Sequence, residues 1–194
     1  MRTARLNNQR KVYESLLRER GKVRALDIGC GPKKFKHAFG LDVFPQEGVD
    51  VLADTDSGSL PFRNGSFDMV VANHFIEHVG DIRTFMMEVH RVLAPGGIAV
   101  IRTPYFSNEG SFRDPSHKWH LTLKSMDYFA EGSPLRWPGL PGYFEKVCVK
   151  LEFGKGILPS IGRLVAGLSL EAYENNCAHI FPAQVVFWAL RAVK

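Results

Sequence analysis

The sequence predicts an α/β protein in which helices pack on a doubly wound, mostly parallel β-sheet. Short apolar runs alternate along the chain with segments of helical spacing, a pattern typical of parallel strands joined by right-handed crossovers. The first run, residues 23–28, is followed by two closely spaced glycines, Gly29 and Gly31. Glycines let the backbone turn sharply and approach a ligand closely. We therefore expect a binding turn at the end of the first strand.

Each predicted element follows from its own pattern. The apolar runs predict five strands, at residues 23–28, 38–41, 49–53, 67–72 and 98–103. A helix is predicted over residues 81–93, with Asp81 as its cap and Pro95-Gly96-Gly97 as its stop. Its apolar face consists of Ile82, Phe85, Met86, Val89, Val92 and Leu93. A later segment, residues 157–168, repeats apolar residues at helical spacing and is expected to pack in the core or to cover a substrate.

Length and composition indicate one ordinary globular domain. The chain has 194 residues, of which 45% are hydrophobic and 23% are charged. Its three cysteines, Cys30, Cys148 and Cys177, have no paired spacing, so we expect a reducing, cytoplasmic location. No secretory signal is evident, and the apolar run at residues 180–193 is too short and too interrupted to span a bilayer.

The positive charge of the chain is concentrated at its beginning. Residues 1–36 carry 11 Lys and Arg against 3 Asp and Glu, whereas the remainder carries 14 against 17. This segment is either an arm for nucleic acid or anionic lipid or the solvated face of a helix over Thr3–Arg20. The second interpretation is favoured because only Tyr13 interleaves the arginines to stack on bases. The apolar stripe by which this helix would dock on the rest of the protein consists of Leu6, Val12, Leu16 and Leu17.

Polar residues follow the predicted strands at the edge where such sheets bind ligands. Asp42, after the second strand, has a carboxylate able to accept from both hydroxyls of a ribose. Asp54, after the third, is placed to accept from an exocyclic amine, with Asp56 as its competitor. The fourth strand ends in the polar segment 73–78. This repeated placement predicts a nucleoside-like ligand.

These motifs resemble those of the class I S-adenosylmethionine-dependent methyltransferases, and more narrowly the small enzymes of ubiquinone and menaquinone biosynthesis. The resemblance is carried by residues 26–31, 41–42, 54, 60–62, 66–70, 77–79 and 91–97. It implies a Rossmann-like single domain with a final antiparallel strand near residues 184–193. Following a basic helix at residues 1–22, the methyltransferase domain at 23–194 would divide into a cofactor half, 23–105, and a substrate-side half, 106–194.

The resemblance also implies S-adenosyl-L-methionine as the cofactor and assigns its contacts. The glycine turn would line the methionine part, Asp42 would hold the ribose diol and Asp54 the adenine amine. A backbone carbonyl at the end of the fourth strand would receive the amino group. The expected cofactor-binding residues are Asp27, Gly29, Cys30, Gly31, Pro32, Asp42, Val43, Asp54, Thr55, Asn73 and His74.

The segment after the glycine turn departs from the family pattern. Only residues 32–40 separate Gly31 from Leu41, and a crossover with its helix needs about 10 to 12 residues. A helix N-terminus facing the cofactor carboxylate is therefore not expected. We hypothesise that Lys33 or Lys34 supplies the positive charge instead; a solvated basic loop is the alternative.

Displacement at a sulfonium methyl mainly requires in-line positioning and exclusion of water. A general base is needed only for an acceptor that loses a proton. The candidates are His78, His117 and His120, followed by His74 and Tyr105. His117 is preferred for contact with the acceptor because it lies in the loop after the fifth strand.

The substrate-side half is rich in aromatic residues. They would either wall a pocket for a small or apolar acceptor or pack as core beneath long loops. The residues are Tyr105, Phe106, Phe112, Trp119, Tyr128, Phe129, Trp137, Tyr143 and Phe144.

Two other functional classes remain. His74, Glu77 and His78 have the His-x-x-Glu-His spacing of inverted zinc metallopeptidases, with Glu145 or Glu152 as a third ligand. This spacing begins at a predicted strand end rather than inside a helix, so no metal is expected. The second class is a non-catalytic module that binds the cofactor or, through the basic segment, RNA.

Overall fold

A computed structural model describes the chain at residues 2–55, 58–140 and 142–194, and describes side chains from residue 8 onward. Its helices and strands follow in the order α1 Arg2–Arg20, β1 Ala25–Ile28, β2 Ala38–Asp42, β3 Val51–Leu52, β4 Phe67–Asn73, α2 Ile82–Val92, β5 Leu93–Pro104, α3 Gly110–Arg113, β6 Tyr143–Glu152, α4 Ile157–Leu168, α5 Leu170–Asn176 and β7 Val185–Val193.

The strands form a single sheet in the order β3-β2-β1-β4-β5-β7-β6. The first five strands run parallel to one another, whereas β7 is antiparallel to both β5 and β6. The predicted fold class and the final antiparallel strand are therefore confirmed. Strand β6 was not predicted because alternating charged residues dominate its sequence and most of its side chains are only partly buried.

Helix α2 covers one face of the sheet, as its apolar spacing predicts. Asp81 caps it by accepting a hydrogen bond from the backbone N–H of Arg83 at 2.9 Å. The buried side chains of this helix are Ile82, Phe85, Met86, Val89, His90 and Val92. Its predicted span, residues 81–93, is confirmed to within one residue. The next strand, predicted at residues 98–103, begins earlier, because the backbone is already extended at Leu93 and Pro95-Gly96-Gly97 lies within β5.

Helix α1 covers the opposite face, where the crossovers contain little helix. The connection from β1 to β2 holds only a 3-10 turn, Gly31–Lys33, which confirms the expected lack of a full helix. Buried Phe35 packs there in the same apolar cluster as Leu16, the fully buried residue of α1. The predicted stripe is only partly correct, because Leu17 is exposed; the side chain of Leu6 lies outside those described.

Four cations of the basic segment form ion pairs with described residues, namely Arg10, Arg20, Arg24 and Lys34. Arg20 and Arg24 both contact the carboxylate of Asp68, at 3.1 and 3.0 Å. Asp68 is buried and also accepts from the backbone N–H of Arg24 at 2.9 Å. Burial alone would raise the pKa of Asp68, but the hydrogen bonds and charge of Arg24 outweigh it and hold the pKa below its usual range. Arg20 therefore anchors the end of α1 to β4, and Arg24 holds the start of β1 beside β4.

Helix α4 differs from the core helix that its spacing suggested. Its apolar residues are mostly solvent-facing, with Ile157 at 82% and Leu168 at 83% exposure. Only Gly162 and Ala166 of this helix are buried, because the helix rests on the sheet through its small residues. No described helix combines the length and hydropathy that crossing a membrane requires.

We expect Asp68→Asn to lower the free energy of unfolding at pH 7 by about 2 kcal/mol, because a buried charge-assisted hydrogen-bond network loses its anion. The folded pKa of Asp68 is lowered, so the carboxylate stabilises the fold above its unfolded pKa of about 3.9. That contribution is lost as the pH falls through the folded pKa. Urea denaturation from pH 7 to pH 2 measures both effects.

The matched control is Glu14→Gln, whose partner Arg10 lies on the exposed side of α1 at 2.6 Å. This exposed pair should change stability by less than about 0.5 kcal/mol. A constant difference between wild type and Asp68→Asn over the whole pH range would contradict the assignment.

Candidate active site

The turn after β1 needs glycine for its backbone conformation and, at Gly29, for its packing. Gly29 and Gly31 have φ angles of +64° and +53°, which side chains other than glycine rarely adopt. A Cβ at Gly29 would collide with the ring of Phe75, whereas one at Gly31 would meet no atom within 4 Å. The space in front of Gly31 is therefore open, as the approach of a ligand to this backbone requires.

The turn is bound to the end of β2 by backbone and carboxylate contacts. The N–H groups of Gly29 and Cys30 donate to the carbonyl of Leu41 at 2.8 and 3.2 Å. The Asp42 carboxylate accepts from the N–H of Gly31 at 2.9 Å and from that of Phe44 at 3.0 Å. A carboxylate offers about four acceptor positions, so Asp42 retains capacity for a further donor.

A small cleft of about 130 Å³ lies beside Asp42. It brings together four of the predicted cofactor residues, from the ends of β2 and β3, with residues from the segment after β4. Its lining consists of Leu41, Asp42, Val43, Ala53, Asp54, Thr55, Phe75, His78 and Val79. Asp56, the predicted competitor of Asp54, lies outside the described residues.

A larger cavity of about 830 Å³ opens beyond β4 and β5. Its lining is mostly polar and comes from the ends of these strands and the loop around α3. The lining residues are His74, Pro104, Asn108, Glu109, Gly110, Arg113, Asp114, Pro115, His117, Gln184 and Val185. His117 of this cavity and His78 of the small cleft stack edge to face with ring centroids 4.7 Å apart. The two spaces therefore meet at this histidine pair.

The comparisons with known proteins agree on one family. Residues 26–101 match the family model described as a methyltransferase domain. Norajmaline N-methyltransferase of Rauvolfia serpentina is 33% identical over 101 residues, covering 39% of this chain and 34% of the relative. Demethylmenaquinone methyltransferase of Staphylococcus epidermidis is 30% identical over 128 residues, covering 50% and 53%. The chain thus spans about a third to a half of the length of these curated relatives.

The solved structures agree at the level of the fold. A SAM-dependent methyltransferase from Archaeoglobus fulgidus superposes with a TM-score of 0.57 at 19% identity, covering 94% of each chain. Residues 26–101 thus resemble a methyltransferase domain, and the whole sheet has the fold of S-adenosylmethionine-dependent methyltransferases. The cofactor that this resemblance implies is S-adenosyl-L-methionine.

The residues around the small cleft fit that cofactor. The open space at Gly31, the remaining acceptor capacity of Asp42 and the position of Asp54 in the same cleft match a ligand with backbone-contacting, diol and amine groups. The half-buried ring of Phe75 lies against Gly29 and forms part of the cleft wall. The predicted contacts of Gly29, Pro32, Asn73 and the other cofactor residues stay predictions.

Two predicted cofactor residues, Asp27 and Cys30, are shaped by their surroundings in the fold. Buried Asp27 accepts from the backbone N–H of Phe35 at 2.6 Å and so closes the loop that follows the glycine turn. Burial, together with the charges of Asp27 and Asp42, raises the pKa of the Cys30 thiol to about 11. This thiol is therefore protonated at neutral pH and is not a nucleophile.

The end of β4 is held by polar contacts that sequence analysis missed. Gln9, buried on α1, donates to the side chain of Asn73. His74 adopts a φ of +49°, and its Nε2 lies 2.5 Å from the guanidinium of Arg102. Arg102 is paired with Glu152 at 2.5 Å. A lone arginine at the end of a buried apolar strand was the one sequence signal for this network.

Other predicted residues have contacts of their own. Lys34 lies 2.6 Å from Asp50 in an ion pair, and the proposed role of Lys33 or Lys34 stays a prediction. His120 stacks on Phe112 and contacts the Ser111 hydroxyl outside the cavity lining.

Tyr105 is fully buried, and desolvation together with its hydrogen bond to Glu174 raises its pKa far above neutrality, so it is not a base. None of the nine aromatic residues lines the large cavity. Tyr105, Phe129 and Phe144 are core, and Trp119 and Trp137 line a separate cleft beside α2.

The metallopeptidase alternative is also wrong in its geometry. Residues 74–80 form bends and turns rather than a helix, so His74 and His78 do not share a helical face. The ring of His74 is directed to Arg102, and Glu152, one proposed third ligand, is bound to the same arginine. The other, Glu145, lies 3.6 Å from Arg191 at the opposite edge of the sheet.

We expect Gly29→Ala to lower the free energy of unfolding by more than Gly132→Ala does. Both positions have positive φ angles, +64° and +68°, but a Cβ at Gly132 meets no atom within 4 Å. The control therefore carries only the backbone cost, about 1 kcal/mol. Displacing Phe75 adds at least about 1 kcal/mol at Gly29. Equal losses in urea denaturation would contradict the packing of Phe75 on this glycine.

Proposed function

We propose that this protein transfers a methyl group from S-adenosylmethionine to a small-molecule acceptor bound in the large cavity. The observation that carries the proposal is the junction of the two spaces at His78 and His117, whose rings lie 4.7 Å apart. A methyl donor in one space and an acceptor in the other would meet there for direct displacement. Such a reaction depends on positioning more than on chemical activation by the protein.

The cofactor half supplies binding and orientation. Asp42 would accept from the ribose hydroxyls, because its carboxylate lies in the cleft with acceptor capacity unused by Gly31 and Phe44. Asp54 would accept from the adenine amine at the other end of the same cleft. The open backbone at Gly31 would face the methionine part, which would direct the sulfonium toward the histidine pair.

The lining of the cavity favours a polar acceptor over an apolar one. Its side chains include an amide, Asn108, a guanidinium, Arg113, and a carboxylate, Asp114, beside His117. Relatives named for small-molecule acceptors, norajmaline and demethylmenaquinone, support the small size of the acceptor. Among the described residues, no Phe, Tyr or Trp lines this cavity, which argues against a flat, wholly apolar substrate.

His117 is proposed to position the acceptor. Its side chain is 8% exposed, and its Nδ1 lies 2.9 Å from the carbonyl oxygen of Ser111, to which it donates. The Nε2 atom is then left with its lone pair, able to accept a hydrogen bond from an acceptor hydroxyl or amine. The role of general base for His78 or His117 stays a prediction.

A cofactor-binding module without transferase activity is the second candidate. It would keep the same cleft and lack turnover on any acceptor. RNA binding through the basic segment has less support, because Arg20, Arg24 and Lys34 are held in ion pairs with Asp68 and Asp50.

The expected result is transfer of a radiolabelled methyl group to at least one member of a panel of polar phenols, amines and carboxylates. His117→Ala should lower kcat/KM by about 100-fold, because a misplaced acceptor loses its in-line geometry. The affinity for S-adenosylhomocysteine should remain within about twofold, since His117 lies outside the cofactor cleft.

His120→Ala is the matched control, because it removes a histidine of the same loop that is not in the cavity lining. Its kcat/KM should stay near the wild-type value. Equal losses in the two variants would contradict the assigned position of the acceptor, and cofactor binding with no turnover on any acceptor would favour the module.

A further inference from the structure

Three potential metal ligands converge at the junction of the two spaces. Glu77 and His78 come from the turn after β4, and His117 comes from the loop after α3. One carboxylate oxygen of Glu77 and one ring nitrogen of each histidine lie within 4.8 Å of one another. Ligand atoms around a bound ion stand roughly 3 to 4 Å apart at ordinary coordination distances. A small inward movement of the side chains would complete such a site.

The carboxylate of Glu77 lacks a full set of partners. Its side chain is 1% exposed, and Oε2 accepts from the hydroxyl of Thr103 at 2.8 Å. Among the described residues, Oε1 has no hydrogen-bond partner, and Nδ1 of His74 lies 3.4 Å away. Leaving a carboxylate oxygen buried and unpaired is costly. A cation beside Oε1 removes that cost.

The histidine tautomers are fixed by the groups behind them. His117 donates from Nδ1 to the carbonyl of Ser111, which leaves the lone pair on Nε2. The hydroxyl of Ser116 donates to Asp114 at 2.7 Å, so it accepts from Nδ1 of His78 at 3.0 Å. His78 also keeps its lone pair on Nε2. Outer hydrogen bonds of this kind orient the histidines of metal sites.

We propose that Glu77, His78 and His117 bind one divalent transition-metal ion. Two imidazoles and one carboxylate suit Zn²⁺, Fe²⁺ or Co²⁺ and leave coordination positions open. The remaining nearby histidine is a poor ligand, because Nε2 of His74 accepts from the cationic Arg102 at 2.5 Å. The site differs from the metallopeptidase site considered above, because it uses His117 in place of His74.

The position of the ion connects it with the acceptor. His117 lines the large cavity and His78 the cofactor cleft, so the open coordination positions lie where the two spaces meet. Resting on the proposed function, this geometry assigns the ion to an oxygen or nitrogen atom of the acceptor. Such a contact would orient the acceptor and lower the pKa of its ligating hydroxyl.

The test is titration of tag-free, chelator-treated protein with Zn²⁺ by calorimetry and with Co²⁺ by visible absorption. We expect one ion per chain. His78→Ala, His117→Ala and the isosteric Glu77→Gln should each weaken binding by at least about 100-fold, and Ser116→Ala, which removes an outer partner, by about 10-fold. His120→Ala should bind as wild type does, because His120 belongs to the same loop and not to the cluster.

Circular dichroism verifies that each variant is folded, and Glu77→Gln keeps the shape of the side chain if the histidine variants do not fold. No saturable binding at one equivalent, or equal losses in His117→Ala and His120→Ala, would overturn the site. The affinity for S-adenosylhomocysteine is measured on the metal-free protein. A loss of cofactor binding can then be distinguished from a loss of metal binding, so the two proposals are tested separately.

Discussion

The hydrogen bonds between the glycine turn and the end of β2 are the constraint on which the rest of the site depends. With only residues 32–37 between Gly31 and β2, no crossover helix is present to position the turn. The N–H groups of residues 29–31 instead donate to the carbonyl of Leu41 and the carboxylate of Asp42. The glycine turn and Asp42, which we propose contact the cofactor, are thereby held together by hydrogen bonds.

The lack of crossover helices also affects how one face of the sheet is covered. Because the early crossovers contribute no α-helix, α1 covers their face, anchored at Asp68 through Arg20 and Arg24. Its buried Gln9 reaches Asn73 at the end of β4, so the helix also connects to the edge that carries the site. Docking of this helix thus accounts for one cation of the basic segment, Arg20. The acceptor side is stabilised separately, by the Arg102–Glu152 pair beneath His74.

The sequence predicted the parts of the molecule that depend on local patterns. The five parallel strands, α2 with its Asp81 cap and the short turn after Gly31 all follow from spacing along the chain. Asp42 and Asp54 were found because strand ends meet at one edge of the sheet. The packing of Phe75 on Gly29, the convergence of Glu77 and His117, and the polar lining of the cavity are contacts between distant segments. Apolar spacing alone also failed at α4, where exposure is decided by tertiary packing.

The most direct measurement is calorimetric titration of S-adenosylhomocysteine into wild type and Asp42→Asn. We expect saturable binding to the wild type of micromolar order, about 8 kcal/mol. We expect a loss of at least about 100-fold in the variant, because a neutral amide offers fewer acceptor positions. Thermal unfolding without ligand verifies that the variant keeps its fold. Absence of binding in the wild type, or equal affinity in the two proteins, would contradict the assignment of the cofactor to this cleft.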